Sequence, residues 1–344
     1  MTGSTVVQEA IGALLDGIDL SRDRARHTMD AVMDGEATEA QIAGFLVALR
    51  AKGETAEEIA GFAEAMRSRV VAVTPRRSPI IDVVGTGGDG MGTFNISTAA
   101  AIVAAASGAA VAKHGNRAAS SQSGSADVLE ALGIAIDLHP SAIAESIDRL
   151  GFGFMFARLH HPAMGHAAPV RVELGTRTVF NILGPLSNPA GACNGLFGVH
   201  SPGLARLYAE ALASLGATRA IVVHGHGGID ELSPTGPNLV VEVVDGAVSE
   251  GTVDPAELGF PQAPPGSLAG GSPSDNASTM RGVLAGRKGP HRDAVVLNAA
   301  AALVTARVVD DLPAGVALAT DTIDRGEAAR RLDDLVAFIP ERRW

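Results

Sequence analysis

The sequence predicts an α/β protein with a small N-terminal helical domain and a larger domain in which a mainly parallel central sheet is flanked by helices. Three observations carry this. Residues 1 to about 70 place apolar side chains at the three-four spacing of amphipathic helices. The run Pro75-Arg76-Arg77-Ser78-Pro79 then breaks the pattern, and beyond it β-branched runs alternate with helical segments. At 344 residues and 46% hydrophobic, the chain can bury a large core and is not disordered.

The first 70 residues read as four short helices. Ile11, Leu14 and Leu15 mark one stripe, and Ile42, Phe45, Leu46 and Leu49 another. Thr38 with Gln41 and Thr55 with Glu58 have capping-box spacing, and Gly35 and Gly53 stand where helices end. Short joining segments predict that neighbouring helices pack as hairpins. After the proline break, Ile80–Val84 reads as a buried strand. Further strands are expected near 109–112, 153–156, 196–200, 220–224 and 239–244. Helices are expected around 98–107, 126–132, 141–150, 204–215, 274–284, 292–306 and 327–338. No internal repeat is visible, and Phe260–Ser274 reads as a Pro/Gly/Ser loop without evident chemistry.

A net charge of -11 argues against a general nucleic-acid or membrane-surface binder, since both targets are negative. One cysteine, Cys193, excludes a disulfide framework or a thiolate zinc cluster within one chain. No signal-peptide pattern opens the sequence. The uncharged stretches 90–112 and 178–205 are interrupted by polar residues and do not read as membrane spans. A soluble, cytoplasmic protein is expected.

Gly85-Thr86-Gly87-Gly88-Asp89-Gly90 directly follows the Ile80–Val84 strand. It matches the spacing of a dinucleotide fingerprint, but that reading needs an acidic residue about 20 positions on, and none occurs from Gly90 through Ala126. A P-loop fails too, because no Gly-Lys-Ser/Thr string occurs. A tight turn alone rarely needs so many glycines. A phosphate cradle of another type does, because glycines let backbone N–H groups converge on an anion beside the N-terminus of the next helix. Asn95, Ser97 and Thr98 add side-chain donors where that helix starts; ordinary N-capping is the alternative. Lys113, one of only three lysines, opens a second loop, Lys113–Ser121, where it and Arg117 have no local acidic partner. A solvated basic loop would look the same, but its place beside the glycine loop favours an anion site.

The segments DVVGTGGDG, NIST, KHGNRAASSQSGSADVLEALG, HPAM, PVRVELGTRTVFNILGPLSNP and GIDELS carry a specific resemblance over roughly 80–233. In order and spacing the chain resembles the anthranilate phosphoribosyltransferase family of tryptophan biosynthesis, whose fold pyrimidine nucleoside phosphorylases share. The C-terminal third matches more loosely, through 275–278 and 289–303. The resemblance implies a helical domain of residues 1–73 with a returning segment at about 166–190. It implies a phosphoribosyl pyrophosphate-binding α/β domain of 80–165 and 191–344, and a homodimer formed through the helical domain.

The family's site carries over residue by residue. Gly85, Gly88, Asp89, Thr93, Asn95, Ile96, Ser97 and Thr98 would surround phosphoribosyl pyrophosphate. So would Lys113, His114, Gly115, Asn116, Arg117, Ala118, Ala119, Ser120, Ser121 and Ser125. Gly85, Asn116 and Arg171 would contact anthranilate, Arg171 at its carboxylate, with His114 and His161 lining the pocket. Ser97, Asp230 and Glu231 would hold magnesium, two ions per monomer. Lys113, Asn116 and Arg171 would position the reactants, with no acid–base residue implied. Standing alone, Arg171 reads as a surface ion-pair partner and Asp230-Glu231 as a solvated acidic pair. The segment Phe156–His160 departs from the family's usual Ala-Pro before His-Pro, which bears on pocket shape.

Three other readings compete. His224-x-His226, Asp230, Glu231 and His160, His161 and His166 could mark a zinc or iron hydrolase, since His-x-His on a strand aims both rings to one face. That leaves the glycine and lysine loops unexplained. A relative of the fold that binds nucleic acid or another nucleobase would be basic and would lose the acidic pair or the lysine-loop Asn116. A pyrimidine nucleoside phosphorylase would need another base-reading loop and has no use for Arg171.

Overall fold

The computed structural model describes residues 3–118, 122–338 and 344. Helices α1 (Gly3–Leu15), α2 (Arg22–Met33), α3 (Glu39–Lys52) and α4 (Ala56–Arg67) come first. Both capping boxes form: Thr38 exchanges hydrogen bonds with Gln41, and Thr55 with Glu58. The pairing departs from sequential hairpins, because α2 packs most extensively on α4 and α1 on α3. Gly61 permits this. A Cβ there would lie 2.4 Å from the carbonyl oxygen of Arg22, so only glycine lets the two backbones approach so closely. Arg22 also donates to Glu64 at 2.7 Å. The fully buried Glu58 accepts from the Leu20 N–H and the Lys52 ammonium, which explains a charge inside the bundle.

The rest of the chain runs β1 (Ile80–Gly85), α5 (Ile96–Ala106), β2 (Ala110–Gly115), α6 (Ser125–Leu132), α7 (Pro140–Leu150) and β3 (Phe152–Phe156). Three short helices follow: α8 (Ala157–His160), α9 (Ala168–Leu174) and α10 (Phe180–Leu186). Next come β4 (Asn194–Gly198), α11 (Pro202–Ser214), β5 (Arg219–His224), β6 (Asn238–Val244) and β7 (Ala247–Val253). The chain ends with α12 (Pro273–Leu284), α13 (Pro290–Thr305), α14 (Leu312–Asp324) and α15 (Glu327–Ala337). The strands form one sheet in the order β3-β2-β1-β4-β5-β6-β7, parallel through β5 and antiparallel at β6 and β7.

Five elements lie outside the sequence reading: the short helices α8, α9 and α10, strand β7 and helix α14. Strand β7 is an edge strand, mostly exposed, and AVSEGTV lacks the apolar alternation that reveals a strand. Helix α14 opens Leu-Pro-Ala-Gly, which reads as a turn. Asp311 caps it, and a Cβ on Gly315 would lie 2.8 Å from the Ala300 carbonyl oxygen, so this glycine serves close packing on α13. Strand β2 also runs three residues further than expected, through Lys113, His114 and Gly115.

The alanine-rich α5 and α13 bury one face of the sheet. Small side chains let these helices lie close to each other and to the strands in a chain with few aromatics. Helix α11 covers the other face, where Phe197, Val222 and Val241 join one continuous apolar cluster with α1–α4 and α10. After β1 the chain builds β2 and β3 toward one edge, then returns to place β4 on the other side of β1. The crevice at the carboxyl ends of β1 and β4 is therefore the topological switch point, where ligands bind in sheets of this kind. No helix among the described residues is long and apolar enough to cross a membrane.

Candidate active site

Gly85 ends β1 and pairs in register with Gly198, which ends β4. Asp230, in the loop after β5, sits over this pair. A Cβ on Gly85 would lie 2.1 Å from Asp230 Oδ2, and one on Gly198 would lie 1.6 Å from its carbonyl oxygen. Two glycines on adjacent strands are thus the condition for a carboxylate at the switch point. Asp230 Oδ2 accepts the Gly87 N–H at 2.7 Å, and Glu231 Oε1 accepts the Ser97 N–H at the start of α5 at 3.1 Å. The N–H groups expected to cradle a phosphate therefore hold carboxylate oxygens here, which establishes that these donors point at negative charge. Gly225 lets the same loop turn, since its Cβ would meet the Glu231 carbonyl oxygen at 2.0 Å.

These acids are not the solvated pair that Asp230-Glu231 resembles in isolation; both are buried. Burial, and then the neighbouring Asp89, pushes Asp230 up to about 6. Burial and Asp230 push Glu231 up to about 8, against the pull of Lys113. Asp89 Oδ1 accepts the Met91 N–H, while its Oδ2 is buried without a donor.

Lys113 belongs to a buried strand, not to a solvated loop, because β2 continues beneath the site. Its ammonium donates to the Val83 carbonyl at 2.6 Å and to Ser97 Oγ at 3.3 Å. Burial lowers its pKa, and Asp82, Glu231 and Asp230 counter that. Asp82 on β1 is fully buried and accepts from the Val83 N–H, the His114 N–H and Asn188 Nδ2. Burial raises its pKa to about 6, against Lys113.

His114 Nδ1 contacts the Gly184 carbonyl at 3.0 Å, so Nδ1 carries the proton and donates. Its Nε2 is then the acceptor for His161 Nε2–H at 3.2 Å. Burial drives His114 well below the usual imidazole value and His161 to about 4, so both stay neutral.

Other expected residues take structural roles in this conformation. Asn95 shows no capping bond; its Oδ1 accepts from Asn276 Nδ2 and Ser123 Oγ, and its Nδ2 donates to the Ser123 carbonyl. Ile96 is buried, and Thr98 Oγ1 is buried without a partner. Asn116 Oδ1 accepts the Arg117 N–H, and the Asn116 carbonyl accepts Ser125 Oγ. Arg117 is not unpaired: it meets Asp127 at 2.9 Å and also Glu130, acids just beyond the acid-free stretch that α6 folds back. Ala118 donates its N–H to Asp127, while Ala119, Ser120 and Ser121 lie outside the described residues. Arg171 on α9 is half-buried, its guanidinium 5.3 Å from the Phe180 ring centroid, and burial lowers its pKa. Gly88 has φ +73° and lies under the guanidinium of Arg177.

The 260–274 loop also has a part here. Thr93 bridges to Ala269, and the Phe94 N–H donates to the Leu268 carbonyl at 2.9 Å, so this loop shapes the wall that presents Asn95. Asn298 on α13 clamps the Leu232 N–H and carbonyl, and Asn238 holds His226 and Ser233. Sequence reasoning missed Asp82, Asn188, Gly198, Gly225, Asn238 and Asn298. A signal existed for the asparagines, amides inside apolar runs, but their partners are remote in the chain.

The donor set suits magnesium. Ser97, Asp230 and Glu231 offer only oxygen, and the clustered, buried acids, each pushed up by burial and by its neighbours, are ones whose ionised form a divalent cation would stabilise. Among the described residues no three His, Cys, Asp or Glu side chains converge as a metal cage. That fits an ion that keeps waters and substrate oxygens. His224 ends β5 and contacts the Val199 carbonyl; His226 lies beyond the strand and contacts Thr235.

Fold and site together define a two-domain glycosyl transferase. Residues 8–70 match the glycosyl transferase family's helical bundle domain, and residues 77–329 match its a/b domain. The chain is 52% identical to the anthranilate phosphoribosyltransferase of Methylobacterium nodulans, over 93% of this chain and 95% of that protein. It is 49% identical to that of Pelotomaculum thermopropionicum, over 97% and 96%. The crystal structure of the Thermus thermophilus enzyme superposes with a TM-score of 0.91 at 50% identity, covering 96% of this chain and 98% of that one. The Saccharomyces cerevisiae enzyme in complex with PRPP and Mg gives 0.87 at 30% identity, covering 97% and 99%. The chain belongs to the anthranilate phosphoribosyltransferase family.

Proposed function

We propose that this protein transfers the 5-phosphoribosyl group from 5-phosphoribosyl 1-pyrophosphate to the amine of anthranilate, giving N-(5-phosphoribosyl)anthranilate and pyrophosphate. The observation that carries the reading is the placement of Asp230 and Glu231 on the Gly87 and Ser97 N–H groups at the switch point. Backbone donors and oxygen ligands meet there, where a diphosphate and its cation must be held together.

The anthranilate nitrogen attacks ribose C1 with its lone pair. The C1–oxygen bond breaks and its electron pair leaves with pyrophosphate. Positive charge builds on the sugar and negative charge on the leaving group, so preorganised donors at the diphosphate lower the barrier. The amine is neutral and nucleophilic, so no protein base is needed; its proton passes to solvent or product once the bond has formed. Lys113, Asn116 and Arg171 position the reactants, a role that can supply much of the rate. Arg171 meets the anthranilate carboxylate. His114 and His161, neutral and tied to each other, line the pocket. Ser97, Asp230 and Glu231 hold magnesium, two ions per monomer; bound there, the metal supplies charge neutralisation to the diphosphate.

The helical domain, 1–73 with about 166–190, faces the α/β domain, 80–165 and 191–344, across the site. The protein works in the cytoplasm as a homodimer joined through its helical domain. Exposed Leu15, Ile18 and Val47 on or beside α1 and α3 support that face.

Anthranilate fluorescence tests the reaction. It falls when phosphoribosyl pyrophosphate and magnesium are added; no fall with folded protein at saturating substrate overturns the reading. Asp230→Asn with Glu231→Gln raises the magnesium needed for half-maximal rate by roughly 10–100-fold or abolishes turnover. An unchanged magnesium titration refutes their metal role.

A further inference from the structure

Arg177 lies between α9 and α10, outside every residue assigned to the site above. Its backbone is tied to the helical bundle. Arg50 on α3 donates to the Arg177 carbonyl and, at 2.8 Å, to Thr176 Oγ1. Its side chain reaches across to the glycine loop. Nη2, Cζ and Nε lie 3.1, 3.3 and 3.3 Å from where a Cβ on Gly88 would stand, so the planar guanidinium lies flat on the loop.

That guanidinium has no hydrogen-bond acceptor and no carboxylate partner among the described residues. Arg117, another cation near the site, is by contrast bound by two acids. Polar atoms on the same loop and the adjoining strand end also want partners: Thr86 Oγ1 and His200 Nδ1 are buried and unbonded. Burial lowers the pKa of His200, and the nearby Arg177 lowers it further, against Asp89. The result is an exposed cation without a protein partner among the described residues, laid against the glycine loop beside two unbonded polar atoms.

We propose that Arg177 is a further binding residue for the anionic end of the phosphoribosyl donor, presented to the Gly85–Gly90 loop from the helical side and held in place by Arg50. The inference rests on the transferase reading for the identity of the donor. The chemistry it requires is more general: a diphosphate oxygen as the guanidinium's missing acceptor. It also gives Gly88 a second reason to be glycine, since any side chain would push the guanidinium off the loop.

Two measurements on wild type, Arg177→Gln and Arg177→Lys test this. The first is the Kd of inorganic pyrophosphate with magnesium, by calorimetry, which needs no assumption about the acceptor. The second is the KM for each substrate. Arg177→Gln weakens pyrophosphate about tenfold or more and raises the KM for phosphoribosyl pyrophosphate in parallel. Its KM for anthranilate stays within about twofold, and Arg177→Lys, which keeps the charge and loses the fork, falls between. Unchanged pyrophosphate binding overturns the proposal, as does a fall in both affinities together with a lowered Tm. If wild type binds pyrophosphate but transfers nothing to anthranilate, the transferase reading fails, and Arg177 is still judged by the pyrophosphate Kd.

Discussion

Asp230, Glu231, Lys113, His114 and His161 are all titratable and all buried, and each is kept there by named partners rather than by solvent. The acids rest on helix and loop N–H groups, Lys113 on a carbonyl and Asp82, and the two histidines on each other and Gly184. The histidines predict a pH response. The folded-state pKa of His161 is about 4, below the ordinary imidazole value, and that of His160 is also lowered by burial. A depressed histidine contributes stability that is fully present above about pH 6.5 and is lost as pH falls from there through the folded value. For His161 the loss reaches about 3 kcal/mol at the bottom of that window. Asp82, Asp230 and Glu231, pushed up by burial, act in the opposite sense, so the readout is a difference: the Tm of His161→Gln should gain on that of wild type between pH 7 and pH 4. An equal slope in the variant would show that other groups set it. Identity was legible for these residues, but environment was not: nothing local to Lys113 or Asp230 announces burial, since Asp82 and Gly198 lie 31 and 32 positions away.

The strand ends decide the site at the level of elements. Gly85 and Gly198 face each other across β1 and β4, and the loop after β5 lays Asp230 over both. Gly198→Ala should force that loop away, because its Cβ would stand 1.6 Å from a backbone oxygen that cannot rotate aside. The expected result is a loss of magnesium-dependent turnover and about 1–3 kcal/mol of stability, read by activity and thermal melting. Retention of both would mean that the loop does not need this close approach. The glycine loop and α5 were legible because their glycines and polar start are contiguous. The 260–274 loop was not, since its role is a backbone pairing with Thr93 and Phe94 that no side-chain pattern encodes. Strand β7 and helix α14 escaped for the same kind of reason, one exposed on an edge and the other opened by turn-forming residues.

Across the whole molecule, large apolar side chains remain exposed on and beside the helical bundle, at Leu15, Ile18 and Val47, and on α9, at Val172. If α1 and α3 form the dimer face, Leu15→Glu with Val47→Glu should halve the mass seen by sedimentation while the Tm stays above assay temperature. An unchanged mass would place the interface elsewhere. The same bundle shares one apolar cluster with α10, α11 and one face of β4–β6, so packing ties together segments from most of the chain's length. By itself the sequence determined the helical start, the alternating strands and helices and the glycine loop, because each is written in contiguous residues or short spacings; the reaction class came through the family resemblance that its motifs carry. Only the tertiary structure decided that Lys113 lies inside a strand, that Arg117 is paired, that Asp82 supports both Lys113 and His114, and that Arg177 rests on Gly88. Burial and pairing depend on what remote segments bring, and a spacing within one segment carries no record of its distant neighbours.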